Sequence, residues 1–235
     1  MTSPAVYREE EAVVVPFVPP GFDATSLQRL LQDELVPMPA WKRAIDIAGA
    51  FFGLLFLAPF LLLIGAAVML DSRGGPLFRQ QRVGKGGKLF TCYKFRSMYR
   101  NAESMQVELL HQNEANGLIF KMKNDPRRTR VGKLLRKTSL DELPQLWNVL
   151  RGDMSLVGPR PPLPSEVARY DDPHLRRLVV TPGITGLWQV TLRGRHDFAD
   201  MVALDLEYAR NLGFWLDMRI LVRTISTVVR GSGSY

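Results

Sequence analysis

The sequence predicts an α+β protein that is mainly α, and three observations carry that prediction. An uncharged apolar run of 24 residues extends from Ile47 to Leu70. Behind it, two strand-like stretches rich in aromatic and β-favouring residues flank the glycine-rich loop Gly84-Lys85-Gly86-Gly87. The rest of the chain is dominated by segments with helical apolar spacing, the last of them amphipathic. The expected architecture is a membrane helix, a small β-hairpin and interfacial amphipathic helices around a compact domain.

The apolar run has the length of a membrane segment. As one straight helix it measures about 36 Å, enough for a hydrocarbon core of about 30 Å. Pro59 stands in its middle, with twelve residues before it and eleven after it. A helical proline loses one hydrogen bond and clashes with the preceding turn, so a bend is expected. Each half is then about 17 Å long, too short to cross alone. Two pictures stay open: a kinked span, or a re-entrant helix that turns at Pro59 and leaves on the side it entered. Lys42 and Arg43 precede the run, and Arg73, Arg79, Arg82, Lys85 and Lys88 follow it. Basic residues favour the cytoplasmic side, and here both flanks are basic. Trp41 suits an interfacial anchor. A buried soluble helix is rarely so long and uniformly apolar, and the run starts too late for a signal peptide.

The chain has 235 residues and a formal net charge of +8. Residues 1–40 hold six acids and two bases, so the basic excess lies behind them. That excess favours phosphates, anionic headgroups or nucleic acid as partners. The single cysteine, Cys92, excludes an internal disulfide and fits a reducing compartment. Three scattered histidines give no zinc pattern. Six prolines mark residues 1–40 as an extended N-terminal segment, with one short helix expected from Leu27 to Leu35 behind Ser26.

Beyond the hairpin, formed by Leu77-Phe78-Arg79 and Lys88 to Phe95, a helix is expected over Ala102 to Gln112 and a short strand over Gly117 to Lys123. Lys121 to Lys137 is dense in cations and leads into Asp141-Glu142. Leu143, Leu146, Trp147 and Leu150 then follow helical spacing, with Asp141 as a natural N-cap and Gly152 as a natural stop. Gly158-Pro159-Arg160-Pro161-Pro162 is stiff, because its prolines hold φ near −65°. A polar helix is expected over Pro164 to Tyr170, and a turn then a strand within Thr181 to Val190. Two helices close the chain, Phe198 to Asn211 and Phe214 to Val229. The last places Phe214, Trp215, Ile220, Leu221 and Val228 beside Arg219, Arg223 and Arg230. That pattern suits the membrane interface, or packing on the protein's own domain.

Asp141 and Glu142 admit two readings. Acids at a helix start satisfy orphan N–H groups and complement the dipole. Behind a cationic segment they can also do chemistry. The setting predicts an Asp141 carboxylate with a lowered pKa. The cations would hold a phosphoryl group. A carboxylate can attack phosphorus to give an acyl phosphate, and a second acid could hold a divalent metal.

Four motifs in one order decide between these readings. They are Lys94-Phe95-Arg96-Ser97-Met98; Thr138-Ser139-Leu140-Asp141-Glu142-Leu143-Pro144-Gln145; Gly152-Asp153-Met154-Ser155-Leu156-Val157-Gly158-Pro159-Arg160-Pro161; and Pro182-Gly183-Ile184-Thr185-Gly186-Leu187-Trp188-Gln189-Val190. Together they resemble the bacterial sugar transferases, the monotopic polyprenyl-phosphate sugar-1-phosphate transferases, over about Trp41 to Val229. The resemblance implies an enzyme of the bacterial inner membrane with its catalytic domain on the cytoplasmic face. It implies transfer of a sugar-1-phosphate from a UDP-sugar to undecaprenyl phosphate with release of UMP, opening exopolysaccharide, capsule, O-antigen or glycoprotein glycan assembly.

By the same resemblance Asp141 is the nucleophile. Glu142 works with Mg²⁺, and Asp141 and Glu142 are the metal-side acids. Lys94, Arg136 and Arg160 match phosphate-binding positions, and Asp217 and Asp205 match further active-site acids. Pro59 matches the bend of a re-entrant helix, which favours that picture of the run. The implied division is an extension over 1–40, a re-entrant helix over 41–72 and a catalytic domain over 73–235.

Two departures stand out. Ala58 replaces the Ser often found before the bend, and Thr191-Leu192-Arg193-Gly194-Arg195 carries extra residues where relatives often continue Trp-Gln-Val with Asn- or Ser-Gly-Arg, so no nucleotide contact is assigned there. No multi-span segment precedes the run, so a compact form is expected. Membrane lipids are expected partners, and a homodimer stays open. The rival readings are a non-enzymatic membrane-anchored binder of anions and a nucleic-acid binder using Lys121 to Lys137. The motif string argues against the first. No recognised nucleic-acid motif supports the second.

Overall fold

The computed structural model describes residues 34–113, 122, 124–192 and 197–229. Helix α1 (Ala40–Asp71) begins behind Pro39 and runs 32 residues, passing through Pro59 without a break in its helical turns. It is long and apolar enough to cross a membrane, and only 11 % of its most apolar stretch is buried. Phe51, Phe52, Leu55, Phe56, Phe60, Leu62 and Leu63 all face outward.

Both ends of α1 dock on the same body. Lys42, Asp46 and Ala50, spaced four apart, are buried near its start, and Ile64, Gly65 and Val68 near its end. The end is held by one guanidinium. Arg96 donates to the carbonyls of Val68, Ser72, Arg73, Gly74 and Gly75. A cation placed there binds one carbonyl of the last turn and four just beyond it, and complements the negative end of the helix.

Strands β1 (Leu77–Val83) and β2 (Leu89–Phe95) pair antiparallel, in register from Leu77 opposite Phe95 to Val83 opposite Leu89. Their loop turns through Gly86 (φ 64°) and Gly87 (φ 80°), a region that glycine enters at little cost. The hairpin and its loop are where the sequence places them. Helix α2 (Ala102–Leu109) continues into a 3₁₀ turn over Leu110–Gln112, as expected.

Helix α3 (Arg130–Thr138) forms within the cationic stretch, where no helix was anticipated. The Thr129 hydroxyl caps it by accepting from the Gly132 N–H, and the Asp71 carboxylate accepts from the Val131 N–H. Helix α4 (Gln145–Arg151) starts four residues beyond Asp141, with Pro144 at its N-cap and Gly152 (φ 89°) at its C-cap. Asp141 is therefore not the cap of that helix.

Strands β3 (Ser155–Val157) and β4 (Gly183–Thr185) form a short parallel pair. A Cβ on Gly183 would lie 2.0 Å from the Gly158 nitrogen, so only glycine fits that approach. Helices α5 (Pro164–Val167) and α6 (Asp172–Leu175) are single turns, so the polar helix expected to Tyr170 is shorter. A 3₁₀ turn over Arg176–Val179 follows α6. The strand expected before Val190 stops at Thr185, and Leu187–Thr191 coils into α7 despite its β-favouring residues. Helices α8 (Phe198–Arg210) and α9 (Phe214–Val229) match expectation. The helix expected over Leu27 to Leu35 and the strand over Gly117 to Lys123 lie outside the described residues, apart from isolated positions.

The core is divided. Ala50 of α1 packs with Phe90, Cys92, Leu146, Val149 and Met154, while Ile64 and Val68 pack with Phe95 and Leu135. A third cluster joins Val83 to α5, α6 and α8, and a fourth joins Val157 to Val190, Tyr208 and Ile220. Hairpin and α4 thus wedge between the two ends of α1, and that wedge carries the site.

Candidate active site

Helix α3 ends at Ser139, a non-glycine residue at φ 56°, whose N–H closes on the Arg136 carbonyl. This left-handed stop turns the chain into a 3₁₀ turn over Leu140–Glu142, and the turn carries the acid pair. Asp141 is 7 % exposed. The Glu142 side chain is 28 % exposed, and its Oε1 accepts from Lys94 Nζ at 2.6 Å. Lys94 comes from β2, whose position against α4 is set by Asn148. That fully buried side chain donates to the Thr91 carbonyl and accepts from the Tyr93 N–H. A lone polar residue inside the apolar string Leu146-Trp147-Asn148-Val149-Leu150 was the available sign of this role.

Arg136 reaches the pair from α3. Its Nε donates to Ser97 Oγ at 3.0 Å, and its charge acts on Asp141. The helix can approach Ser97 because residue 132 is glycine; a Cβ there would lie 2.0 Å from the Ser97 carbonyl oxygen. The charges of Arg160 and Arg82 act on Glu142.

The two acids titrate in opposite directions. Burial and the adjacent Glu142 charge raise the Asp141 pKa, and together they outweigh Lys94 and Arg136. The expected lowering is thus reversed, since desolvation disfavours the ionised form more than the cations favour it. Burial works against ionised Glu142 too, yet the charge and hydrogen bond of Lys94, with Arg160 and Arg82, hold it below the ordinary glutamate value.

The structure brings together Asp141, Glu142, Lys94, Arg136 and Arg160. It places Asp217 and Asp205 in separate buried networks. Asp217 accepts from Lys42 Nζ at 2.6 Å and from the Tyr208 hydroxyl at 2.8 Å, while Lys42 also donates to the Val157 carbonyl. Asp205 pairs with Arg177 at 2.6 Å. Lys42, a basic flank of the apolar run, is thus buried within the fold, being 3 % exposed. Arg43 donates to the Val149 and Leu150 carbonyls, closing α4. Sequence reading missed Lys42, Arg96, Asn148 and Arg177, which meet their partners only in the folded chain.

No group of three or more His, Cys, Asp and Glu converges among the described residues. Two adjacent carboxylates nevertheless fit the way Mg²⁺ is held, by one or two acids together with substrate phosphates and water. Asp141 and Glu142 would be those acids.

A family model described as bacterial sugar transferase matches residues 38–231. The chain is 46 % identical over 195 residues to the galactosyl transferase CpsE of Streptococcus agalactiae, covering 82 % of this chain and 43 % of that protein. It is 47 % identical over 203 residues to the undecaprenyl-phosphate galactose phosphotransferase of Salmonella typhimurium, covering 83 % and 41 %. It is 43 % identical over 198 residues to the UDP-galactose-lipid carrier transferase of Erwinia amylovora, covering 83 % and 41 %. The chain thus spans less than half the length of these relatives. The matched range takes in α1, the hairpin, the acid pair and α9, so the chain belongs to the bacterial sugar transferase family.

Proposed function

We propose that the protein transfers a sugar-1-phosphate from a UDP-sugar to undecaprenyl phosphate through a phosphosugar ester on Asp141. The observation that carries this reading is the acid pair among cations: a buried aspartate beside a glutamate already bound by Lys94, flanked by Arg136 and Arg160.

In the first step an Asp141 carboxylate oxygen attacks the sugar-bearing phosphorus. The bond from that phosphorus to the bridging oxygen breaks, and UMP leaves with the electron pair. In the second step a phosphate oxygen of undecaprenyl phosphate attacks the same phosphorus. The acyl-phosphate bond breaks, the Asp141 carboxylate is restored and undecaprenyl-diphosphate-sugar is released. Lys94, Arg136 and Arg160 place positive charge where the transferred phosphoryl group carries negative charge. Mg²⁺ held by Glu142 and Asp141 would neutralise the diphosphate.

The fold supports a monotopic placement. Both ends of α1 dock on one body, so both lie on one side of the bilayer, and the exposed middle around Pro59 is what dips into it. This leaves the described residues that precede and follow α1 on that same side, read as the cytoplasmic face of the inner membrane. On α9, Trp215, Val222 and Ile225 point outward with Arg219 and Arg223, the composition of a helix lying among lipid headgroups. Trp41 packs edge-on against Phe214, joining the start of α1 to the start of α9. A soluble nucleotide sugar and a lipid phosphate can then meet at one depth.

The test is UMP release by the purified protein with Mg²⁺ and undecaprenyl phosphate, over UDP-galactose, UDP-glucose and their N-acetylated counterparts. Release with one donor, and an Asp141-linked phosphosugar by mass spectrometry, is the expected result. No release from any donor would return the protein to the class of anion binders.

A further inference from the structure

The segment Gly158–Pro162 has an unusual backbone. Proline lacks an N–H, so from residue 159 to 162 only Arg160 can donate, while all four carbonyls need partners. Each carbonyl finds one on a different group. The Gly183 N–H donates to the Pro159 carbonyl at 2.8 Å and the Val83 N–H to the Pro162 carbonyl at 3.0 Å. Arg82 Nη1 donates to the Pro161 carbonyl at 2.9 Å, and Arg177 Nη2 to the Arg160 carbonyl at 3.5 Å, the longest of the four. Gly158 adds its own N–H to the Thr185 carbonyl.

The two arginines are themselves fixed. Arg82 is buried, and its Nη2 donates to Gln80 Oε1. Arg177 is buried, paired with Asp205, donating to the Tyr170 hydroxyl and stacked near the Tyr170 and Phe198 rings. Against this, the Arg160 guanidinium makes no hydrogen bond with a described residue, yet lies close enough to act on Glu142. Two cations are thus spent on holding the backbone of a third beside them. Like charges repel, so such a cluster is an expensive way to stabilise a loop, and a direct way to aim a side chain.

We propose that Arg82 and Arg177 are positioning residues that hold the Gly158–Pro162 segment so that Arg160 meets the diphosphate of the donor, with Asp205 and Tyr170 locking Arg177. This gives Asp205 a role at one remove from the reaction. The inference rests on the reading of Arg160 as a phosphate-binding residue.

The experiment is a double-mutant cycle on the full chain, with two readouts. Affinity for inorganic pyrophosphate reports on Arg160 whether or not the protein turns over, and UMP release reports on the proposed reaction. Arg160→Ala should weaken pyrophosphate binding about tenfold, the size of one charge-assisted hydrogen bond. Arg82→Lys keeps the charge and loses the fork. Arg177→Met with Asp205→Leu removes the buried pair together, which protects the fold. Each should weaken binding in the parent protein and add nothing in the Arg160→Ala background. Equal losses in both backgrounds, unchanged affinity in the positioning variants, or no effect of Arg160→Ala would each overturn the proposal. A coupled pyrophosphate cycle without UMP release from any variant would break the proposed reaction and leave the positioning standing.

Discussion

Asp141 and Asp217 are both buried aspartates, and they live in opposite surroundings. Asp217 has a lysine at 2.6 Å and a tyrosine hydroxyl at 2.8 Å, deep between α1, β3 and α9. Asp141 has no cation at ion-pair distance among the described residues, and Lys94 and Arg136 act on it through space. The Lys94 ammonium that might have paired with it is bound to Glu142 instead. One acid is matched to the protein. The other is left to be matched by something that enters. A perturbed pKa without an ion-pair partner fits the proposed functional role of Asp141, whereas a closed ion pair holds elements together.

That contrast can be broken in four ways, in descending size. Asp141→Asn should lower UMP release by about a thousandfold or more. It should leave the thermal midpoint at pH 7 unchanged or higher, because the ionised carboxylate is disfavoured in the fold. Full turnover by this variant would remove Asp141 as nucleophile. Asp217→Asn should do the reverse in kind, costing about 3–5 kcal/mol of stability by leaving Lys42 buried and uncompensated. Denaturant titration measures it, and Lys42→Met with Asp217→Leu should restore most of the loss.

The third is a pH dependence. Attack requires ionised Asp141, so activity falls as pH drops through its folded pKa. Glu142 raises that pKa and Lys94 lowers it. Glu142→Gln should therefore move the acid limb of kcat/KM to lower pH and Lys94→Met to higher pH. Shifts in one direction for both would sink the electrostatic account. The smallest effect belongs to Arg151, half exposed and 3.4 Å from Asp153. Arg151→Ala should change stability by less than about 0.5 kcal/mol and leave turnover alone.

Much of this was legible in advance, for identifiable reasons. The hairpin was readable because Gly86 and Gly87 mark a turn that flanking aromatics cannot make. Helices α8 and α9 carry apolar spacing long enough to stand alone. The acid pair was readable because it sits in a long motif. Three-residue strands are not readable, since β3 and β4 exist only through pairing across 28 residues and a glycine contact. Helix α7 coils through Trp188, Val190 and Thr191, where packing overrides propensity. The direction of the Asp141 shift was misread because burial is a property of the fold, and neighbouring cations in sequence do not measure it. The burial of Lys42, a basic flank of the apolar run, was unreadable for the same reason.

The Lys42–Asp217 pair also sets an order of assembly. Its members are 175 residues apart, and Asp71 meets Val131 across another 60. On the ribosome the apolar helix is complete long before either lock exists. Lys42 and Asp46, buried in the fold, have to stay hydrated until their partners are made. On the proposed membrane placement, the helix would enter the bilayer first and the domain would close on it afterwards. A pairing this non-local makes closure slow. Docking of α9 through Asp217 is then the step that locks the start of α1.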